Sequence, residues 1–450
     1  MQKRNNMLAN EKIWKLLFKL SAPAMIAMIV QSLYNVVDTI FVGRYVGING
    51  IAAIAIAFPL QMIIMAFSFT VGIGSASIIS RSWGAGDLDT AEYTLGNSFT
   101  IGVILSLMIS VIGIVFTPSI LTAFGASSKV LPYSVVYLRV ILAGTVFTVF
   151  VISTNNVIRA EGNAKMAMMV MLTSAIINII LDPIFIIVLH MGIRGAAIAT
   201  VIAKFAGVII QLYYFLFGNS AIRFHIKKLV LRKRIVIDIF AIGSSAFIRQ
   251  IVGSVMIVIL NKLLLFYGGD IAIATYGVIH RILMLSFMPM FGIAQGLQPI
   301  IGFNYGARNI KRVVESIKIS IVCVTSISIF SFLVLTVFSG FFIGLFSKNQ
   351  TLVSLGIKSL RIIILAFPIV GFQIVASSMY QSMGKIFPAI ILSMLRRIIF
   401  FIPLVLIFPL FLGLNGVWIT FPVADISAGI ITVIMMIFTM RNLMRIEKGE

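Results

Sequence analysis

Three aspartates interrupt stretches of the sequence that are otherwise apolar. Asp38, Asp182 and Asp425 each lie inside such a stretch, whereas the other ten of the 13 acidic residues lie in linkers, tails or the ends of stretches. An ionised carboxylate in hydrocarbon costs at least roughly 2.5–3.5 kcal/mol, so it normally faces a bundle interior or a watery cavity. Each aspartate is therefore a candidate for binding a proton or a metal cation. The alternative for each is a local hydrogen-bond network.

The first two aspartates have polar companions at the same expected depth. Asn178 precedes Asp182 by one helical turn, which places both side chains on one helix face. Thr200 falls in the first turns of the next apolar stretch, and Asp38 lies near the outer end of the first stretch. Their oxygens are suitable ligands for a hard cation, and two adjacent carboxylates also favour binding a proton because like charges disfavour dual ionisation. We therefore predict that these four residues bind a coupling ion, either H⁺ or Na⁺, and that they are the metal ligands if the ion is Na⁺.

Other polar side chains on the first and fourth apolar stretches are candidates for lining a substrate cavity. They are Gln31, Tyr34, Asn35, Asn155 and Asn156. Each of them is equally suited to hydrogen bonding between neighbouring helices.

Arginines occur inside apolar stretches of the second half of the sequence. They are Arg249, Arg281 and the pair Arg396 and Arg397. An unpaired arginine at membrane depth is costly, and Asp425 is the acid at a similar expected depth. We predict a charge network of Arg249, Arg281, Arg396 and Asp425 in which the aspartate pairs with one arginine. The alternative is that some of these arginines extend to the interface.

The composition places this chain in a membrane. Of the 450 residues, 60% are hydrophobic and 11% are charged, and the mean hydropathy is +1.12. A soluble domain would need more charge to cover its surface. The formal net charge of +22 lies mostly in short linkers, where it sets topology and contacts anionic headgroups. We therefore expect the lipid bilayer, and not nucleic acid, to be the partner of these charges.

Hydropathy predicts twelve membrane-spanning helices, since about 20 apolar residues cross the hydrocarbon core. Numbered as spans 1 to 12, they cover residues 15–41, 52–78, 92–117, 132–156, 165–190, 195–217, 237–265, 274–300, 316–341, 356–380, 387–411 and 416–440. The linkers alternate between basic and charge-poor sets, and both termini belong to the basic set. By the positive-inside rule, this is a multi-pass protein of the cell membrane with both termini in the cytoplasm.

The two halves of the chain repeat at a constant offset of 222 residues. Glycines at helix ends and in linkers coincide at this offset: Gly74 with Gly296, Gly84 with Gly306, and Gly162 with Gly384. The acids are not repeated, because Asp38 aligns with Leu260 and Asp182 with Leu404. The repeat therefore predicts a duplicated fold in which the candidate ion site occurs once.

Each half contains six spans, so both halves enter the membrane from the same side. The predicted fold is an all-α integral membrane protein with twelve transmembrane helices in two six-helix lobes, related by a pseudo-twofold axis along the membrane normal. The lobes are an N-lobe of residues 1–217 and a C-lobe of residues 237–450, joined by a cytoplasmic linker of residues 218–236. Two parallel lobes around a central cavity favour alternating access in a secondary transporter. A receptor or scaffold is the alternative.

The sequence gives no sign of enzymatic chemistry. Its glycine-containing linkers lack the lysine of a Walker pattern, so ATP is not the expected energy source. His190, His225 and His280 have no metal-binding spacing, and the single cysteine, Cys323, excludes a disulfide within the chain. We expect no catalytic residue and no cofactor apart from the coupling ion.

Several segments make the chain similar to one known family of transporters. In the first half they are Ser21-Ala22-Pro23, Tyr34-Asn35-Val36-Val37-Asp38, Gly84-Ala85-Gly86, Arg159-Ala160-Glu161-Gly162-Asn163 and Asn178-Ile179-Ile180-Leu181-Asp182-Pro183. In the second half they include Gln298-Pro299-Ile300-Ile301-Gly302-Phe303-Asn304-Tyr305-Gly306-Ala307. Together these segments resemble the prokaryotic branch of the multidrug and toxic compound extrusion (MATE) family over nearly the full length.

The resemblance implies export of bulky, often cationic organic compounds against a Na⁺ or H⁺ gradient. In family members with an N-lobe cation site, the ligands match Asp38, Asn178, Asp182 and Thr200 of this chain. Other members use acids in spans 7, 8 or 10, where this sequence has no mid-span acid. We thus expect a monomeric, cation-coupled multidrug antiporter with small organic substrates. The alternatives are a flippase for a lipid-linked precursor and an exporter of an anionic substrate, which the second-half arginines favour.

Overall fold

Apolar helices of membrane-crossing length make up most of the chain. The computed structural model describes residues 2–346 and 349–448, apart from the side chains of Lys3, Asn35, Val36, Thr39, Ile48 and Lys448. Ten helices in this part of the chain are long and apolar enough to cross a membrane, and two helices that meet at 53° form a further, broken span. The longest helix, Lys233–Gly306, is two spans joined at Gly269, where a φ of 62° interrupts the helical backbone. The described chain therefore has the twelve predicted spans.

The six spans of the first half follow one another with short connections. They are span 1 (Ile13–Tyr45), span 2 (Ile48–Gly84), span 3 (Leu88–Val115), span 4 (Leu131–Ala143 with Thr145–Ala160), span 5 (Ala164–Pro183, continued by the π-helical turn Ile184–Val188) and span 6 (Gly192–Leu216). Short helices cover Gln2–Asn10 before span 1 and Thr117–Ala123 after span 3.

The second half repeats this arrangement after a linker that contains the 3₁₀ turn Ile226–Leu229. Spans 7 and 8 are the two parts of Lys233–Gly306, before and after Gly269. The remaining spans are span 9 (Ile310–Val337), span 10 (Gln350–Ile363, the 3₁₀ turn Ile364–Ala366 and Phe367–Ser382), span 11 (Ile386–Met394, the π-helical turn Leu395–Phe401 and Ile402–Leu412) and span 12 (Leu414–Lys448). A short helix covers Ser339–Gly344.

Several helices continue beyond their apolar stretches, as span 2 illustrates. Its predicted end is residue 78, but the helix runs to Gly84. Ser80 and Trp83 in the added turns are buried, and the Trp83 ring contacts that of Phe303 in the second half at 5.2 Å between ring centroids. Packing between the halves therefore stabilises helix where hydropathy alone predicts a linker.

Equivalent turns in the two halves have equivalent backbone geometry. Gly162 after span 4 has a φ of 73°, and Gly384 after span 10, at an offset of 222 residues, has a φ of 70°. This left-handed conformation favours glycine and commonly ends a helix. The glycine pairs of the sequence repeat therefore mark matching helix ends.

The two lobes pack closely on the side of the membrane where both termini lie, here called the termini face. A Cβ atom on Gly84 would lie 1.9 Å from the carbonyl oxygen of Phe303, and one on Gly306 would lie 1.9 Å from that of Arg81. The ends of spans 2 and 8 thus contact each other's lobes backbone against backbone. These reciprocal contacts are what a pseudo-twofold axis between the lobes produces.

The lobes separate toward the opposite face of the membrane. Near the middle of the spans, Gln250 Nε2 lies 2.7 Å from Met62 Sδ and Gln295 Nε2 lies 3.5 Å from Met28 Sδ. Beyond these contacts, among the described residues, no hydrogen bond or ring contact joins the lobes. The structure is therefore closed at the termini face and open at the opposite face.

The N-terminal helix Gln2–Asn10 is attached to the N-lobe through a buried glutamate. Arg4 Nη1 donates to the Glu161 carboxylate at 3.3 Å. Glu161 also accepts hydrogen bonds from the Tyr214 hydroxyl at 2.8 Å, from Ser220 Oγ at 2.8 Å and from the Ala221 amide at 3.0 Å. Burial raises the pKa of this carboxyl, and the hydrogen bonds oppose that shift. One carboxylate thus joins the N-terminal helix, span 6 and the linker between the lobes.

The same helix is attached to the C-lobe at its other end. The carbonyl oxygen of Leu8 accepts from Asn304 Nδ2 at 3.2 Å and from Arg312 Nη2 at 3.2 Å. Leu8 is itself buried. The N-terminal helix therefore bridges both lobes across the closed termini face.

Replacing Glu161 with alanine is expected to destabilise the protein by about 2–5 kcal/mol, because several buried donors lose their acceptor. Thermal unfolding of the purified protein in detergent measures this effect. Glu447→Ala, which removes an exposed glutamate of span 12, is the control and should leave the melting temperature unchanged. Equal melting temperatures for both variants would contradict the structural role of Glu161.

Candidate ion-binding site and a second charged cluster

Asp38 and Asp182 come together in the half of the N-lobe that lies toward the opposite face. Asp38 is in the outer part of span 1, and Asp182 is in the last turn of span 5 before the π-helical turn that follows Pro183. The two carboxyl groups are within hydrogen-bonding distance of each other, and Asp182 is fully buried. Two ionised carboxylates in such contact repel each other. A bound cation or a shared proton would stabilise the pair.

Asn178 and Thr200 join these aspartates as the sequence predicts. Asn178 Nδ2 donates to Asp182 Oδ1 at 3.3 Å and lies 3.5 Å from Thr200 Oγ1 in span 6. Asn178 is 2% exposed. The π-helical turn widens span 5 directly after Asp182, a distortion that often occurs at functional sites. Spans 1, 5 and 6 therefore position four oxygen-bearing side chains around one point.

Several oxygen atoms in this group are buried without a hydrogen-bond donor. They are Asp38 Oδ1, Asp182 Oδ2 and Asn178 Oδ1. A buried polar atom that lacks a partner costs free energy, and a small hard cation would satisfy all three through oxygen ligands. A proton on one carboxyl would satisfy part of the same need. The donor set thus fits Na⁺ or H⁺.

Two further residues of this region were not singled out from the sequence. Tyr137 in span 4 lies within electrostatic range of Asp38 and Asp182, and its hydroxyl accepts a hydrogen bond from Gln61 at 3.4 Å. Lys204 in span 6 places its ammonium 5.8 Å from the centre of the Tyr34 ring. Lys204 follows Thr200 by one turn, so its charge inside an apolar span was a signal that could have identified it.

The residues predicted to line a substrate cavity separate into two groups. Gln31 and Tyr34 are half-buried in span 1, on the approach to Asp38, whereas the side chain of Asn35 lies outside the described residues. Asn155 and Asn156 are 4% exposed. They lie away from Asp38, near the termini face, and their amide oxygens accept hydrogen bonds from the Arg159 guanidinium. In this conformation the two span 4 asparagines contribute to packing within the N-lobe.

The C-lobe contains a second charged cluster, centred on spans 11 and 12. The Asp425 carboxylate forms an ion pair with the Arg396 guanidinium through Nε and, at 3.1 Å, through Nη2. Gln373 Nε2 in span 10 donates to the carbonyl oxygen of Asp425 at 2.7 Å. The predicted pairing of Asp425 with an arginine is therefore present, and Arg396 is the partner.

Two other arginines of the predicted network differ in position. Arg397 Nη1 donates to the carbonyl oxygen of Arg249, so spans 7 and 11 are joined at this level. Arg281 is exposed on span 8, and no hydrogen bond or ion pair links it to the Asp425 cluster among the described residues. The network therefore includes Arg397 in place of Arg281. Sequence depth alone could not separate them, since it gives no direction around the helix axis.

Replacing Asp425 with asparagine is expected to destabilise the protein by about 1–3 kcal/mol, because Arg396 keeps its charge and loses its ionised partner. The Arg396 side chain is 33% exposed, so water compensates part of the loss. Thermal unfolding in detergent measures the change. The double variant Arg396→Met with Asp425→Leu should recover most of the stability, and a double variant as unstable as Asp425→Asn would contradict this explanation.

Two six-span lobes that close at one face of the membrane around a buried ionisable site define a transporter of the alternating-access type. A sequence model of the MatE family matches residues 23–184 and 245–407, two segments whose starts are 222 residues apart, as in the internal repeat. The chain therefore belongs to the MATE family of multidrug efflux transporters. It is a multi-pass membrane transporter and not an enzyme.

Curated relatives and solved structures agree with this assignment over almost the full chain. The chain is 28% identical over 438 residues to the multidrug export protein MepA of Staphylococcus haemolyticus, covering 97% of this chain and 96% of the relative. The MATE multidrug transporter DinF-BH in complex with rhodamine 6G is 41% identical with a TM-score of 0.90, covering 97% of each chain. An outward-facing MATE transporter of the MOP superfamily is 28% identical with a TM-score of 0.92, covering 98% of each chain.

Proposed function

We propose that this protein is a cation-coupled antiporter that exports organic substrates of several kinds across the cytoplasmic membrane. The observation that carries this proposal is the buried contact between Asp38 and Asp182, with carboxylate and amide oxygens left unpaired. A packed N-lobe has no need of two adjacent carboxylates at membrane depth, where each is costly. Binding and release of H⁺ or Na⁺ gives the pair a function.

The proposed orientation places both termini in the cytoplasm. It is supported by the excess of Lys and Arg in the linkers on the termini face. In this orientation the open side of the cavity faces outward, and an external cation reaches Asp38 and Asp182 from the outer end of spans 1 and 5. The closed termini face then separates the site from the cytoplasm.

Coupling requires that the ion and the substrate favour different states of the transporter. Binding of a cation removes the repulsion between Asp38 and Asp182 and satisfies Asn178. The ends of spans 1, 5 and 6 then pack more closely, which changes the wall of the cavity on the side of Tyr34 and Gln31. Release of the substrate outward and entry of the ion are thereby linked.

The proposed substrates are bulky organic molecules. MepA is described as a multidrug export protein, and the DinF-BH structure contains rhodamine 6G. Methionines near the cavity, such as Met28 and Met62, offer flexible apolar surface that adapts to ligands of different shape. We propose that the transporter works as a monomer, since each chain contains both lobes and the cavity between them.

Efflux in membrane vesicles tests this proposal. Vesicles that contain the protein are loaded with a fluorescent organic dye, and Na⁺ and H⁺ gradients are imposed separately. We expect one gradient to accelerate dye export and an ionophore that dissipates it to remove the effect. Dye export that is the same with either gradient and with none would contradict cation coupling.

A further inference from the structure

The charged cluster of the C-lobe carries more positive than negative charge. Arg249, Arg396 and Arg397 lie together near the middle of spans 7 and 11, and Asp425 is their acidic neighbour. One aspartate neutralises one arginine, so two positive charges remain without a carboxylate among the described residues of this cluster. Uncompensated guanidinium groups at this depth are costly and normally mark a site for an anion.

The position of Arg397 is built into the backbone of span 7. Its guanidinium donates to the carbonyl oxygen of Arg249, and it occupies the space beside Gly253, where an added Cβ would lie 2.5 Å from Nη1. Any side chain at position 253 would displace this guanidinium. The sequence of span 7 therefore leaves room for Arg397 one turn from Arg249.

Arg249 is the member of the cluster whose guanidinium is available for a ligand. Its carbonyl is used by Arg397, but its own nitrogen atoms donate to none of the described residues. The side chain is partly exposed, and the next residue, Gln250, contacts Met62 across the cavity. A planar guanidinium in this setting can bind a carboxylate, sulfonate or phosphate through two parallel hydrogen bonds.

An aromatic wall stands beside these positive groups. Tyr276 lies within electrostatic range of Arg396 and Arg397, and its ring is 5.9 Å from that of Phe421, which in turn is 4.8 Å from that of Phe401. Apolar rings next to guanidinium groups suit an organic molecule with an anionic group on an apolar body.

We propose that Arg249 and Arg397 form an anion-binding subsite of the transport cavity, which takes the carboxylate, sulfonate or phosphate of an amphiphilic substrate. This inference rests on the proposed export function and names a substrate class for it. The subsite lies in the C-lobe, whereas the candidate ion site lies in the N-lobe. An anionic substrate therefore binds without competing with the coupling ion for the same side chains.

Two xanthene dyes of similar size and opposite charge test the subsite, namely fluorescein, an anion at pH 8, and rhodamine 6G, a cation. Their binding to the purified full-length protein in detergent is measured by fluorescence anisotropy. We expect Arg249→Gln to weaken fluorescein binding by about tenfold or more, the value of a charge-assisted hydrogen bond, and to leave rhodamine 6G binding undiminished. Arg249→Lys, which keeps the charge, should lose less.

Lys262→Gln is the matched control, because it removes a positive charge from an exposed position of the same span. It should leave the binding of both dyes unchanged. Failure of the wild type to bind fluorescein, an equal loss of both dyes in Arg249→Gln, or an equal effect of Lys262→Gln would each overturn the subsite. Loss of gradient-driven export with intact fluorescein binding would instead overturn the proposed function and leave the subsite standing.

The anionic group can belong to a soluble molecule or to a lipid, and competition separates these sources. Displacement of fluorescein by dihexanoyl phosphatidylglycerol would assign the subsite to a lipid phosphate. Displacement by naphthalene sulfonate but not by the lipid would assign it to soluble organic anions. Both results support an anion subsite, and displacement by rhodamine 6G alone would contradict it.

Discussion

Replacing Asp182 with asparagine is expected to abolish gradient-driven export, reducing it to the level of vesicles without the protein. Asparagine preserves the size of the side chain but removes the negative charge that holds the coupling ion opposite Asp38. The hydrogen bond from Asn178 involves a carboxylate oxygen at 3.3 Å, and the asparagine carbonyl can accept it instead. The protein should therefore fold normally, and the defect should lie in coupling alone.

Dye export in vesicles with an imposed gradient measures the effect, and the melting temperature in detergent verifies folding. Asp38→Asn should give the same loss, because either variant removes one member of the carboxylate pair. Asp270→Asn is the control, since this exposed aspartate lies in the connection between spans 7 and 8. Normal export by both Asp38→Asn and Asp182→Asn would refute the role of the pair.

Replacing Gly84 with alanine is expected to prevent the tight closure of the termini face. The new methyl group would lie 1.9 Å from the carbonyl oxygen of Phe303, so the ends of spans 2 and 8 must move apart. Overpacking of this kind costs about 1–3 kcal/mol, which changes the population ratio of the two states about 5–150-fold. Export should fall accordingly, because one half of the transport cycle loses its closed barrier.

The distance between spin labels on Ala85 and Ala307 reports this change, because both residues are exposed at the termini face. Cys323, the single native cysteine, is first replaced by serine. In Gly84→Ala, the distribution of distances should shift toward larger values. Gly277→Ala is the control, since a Cβ at this position meets no atom within 4 Å, and an identical shift in both variants would contradict the packing explanation.

The fold could be predicted from the sequence because hydropathy and the internal repeat constrain it independently. Twelve apolar stretches gave twelve spans, and the offset that aligns Gly162 with Gly384 also aligns their backbone conformations. The helix ends were less predictable. Span 2 continues to Gly84 because its polar last turns are buried against the other lobe, and such contacts between distant parts of the chain are not visible in local hydropathy.

The charged groups could be predicted by depth but not always by partner. Asn178 and Asp182 share a helix face at a separation of four residues, so their contact follows from the helix period. Asp425 had several arginines at its depth, and only packing shows that Arg396 faces it whereas Arg281 does not. The bonds from Arg159 to Asn155 and Asn156 have helical spacing and were predictable in principle.

The duplicated fold has become chemically asymmetric. The N-lobe contains two carboxylates in contact where the C-lobe has Leu260 and Leu404 at the aligned positions. The C-lobe contains the arginines around Asp425, and its excess charge is positive. We infer that the two walls of one cavity serve different partners, with the coupling ion on one side and the substrate on the other.

The movement of the coupling ion itself tests the central claim most directly. Purified protein in liposomes is given an outward-directed gradient of the dye that it exports, and the opposite movement of H⁺ and of ²²Na⁺ is recorded. We predict that the dye gradient drives one of these ions in the opposite direction in the wild type, and that Asp38→Asn and Asp182→Asn transport neither ion. Dye movement in the wild type without a counter-flow of H⁺ or Na⁺, or ion flow that persists in both variants, would contradict the account.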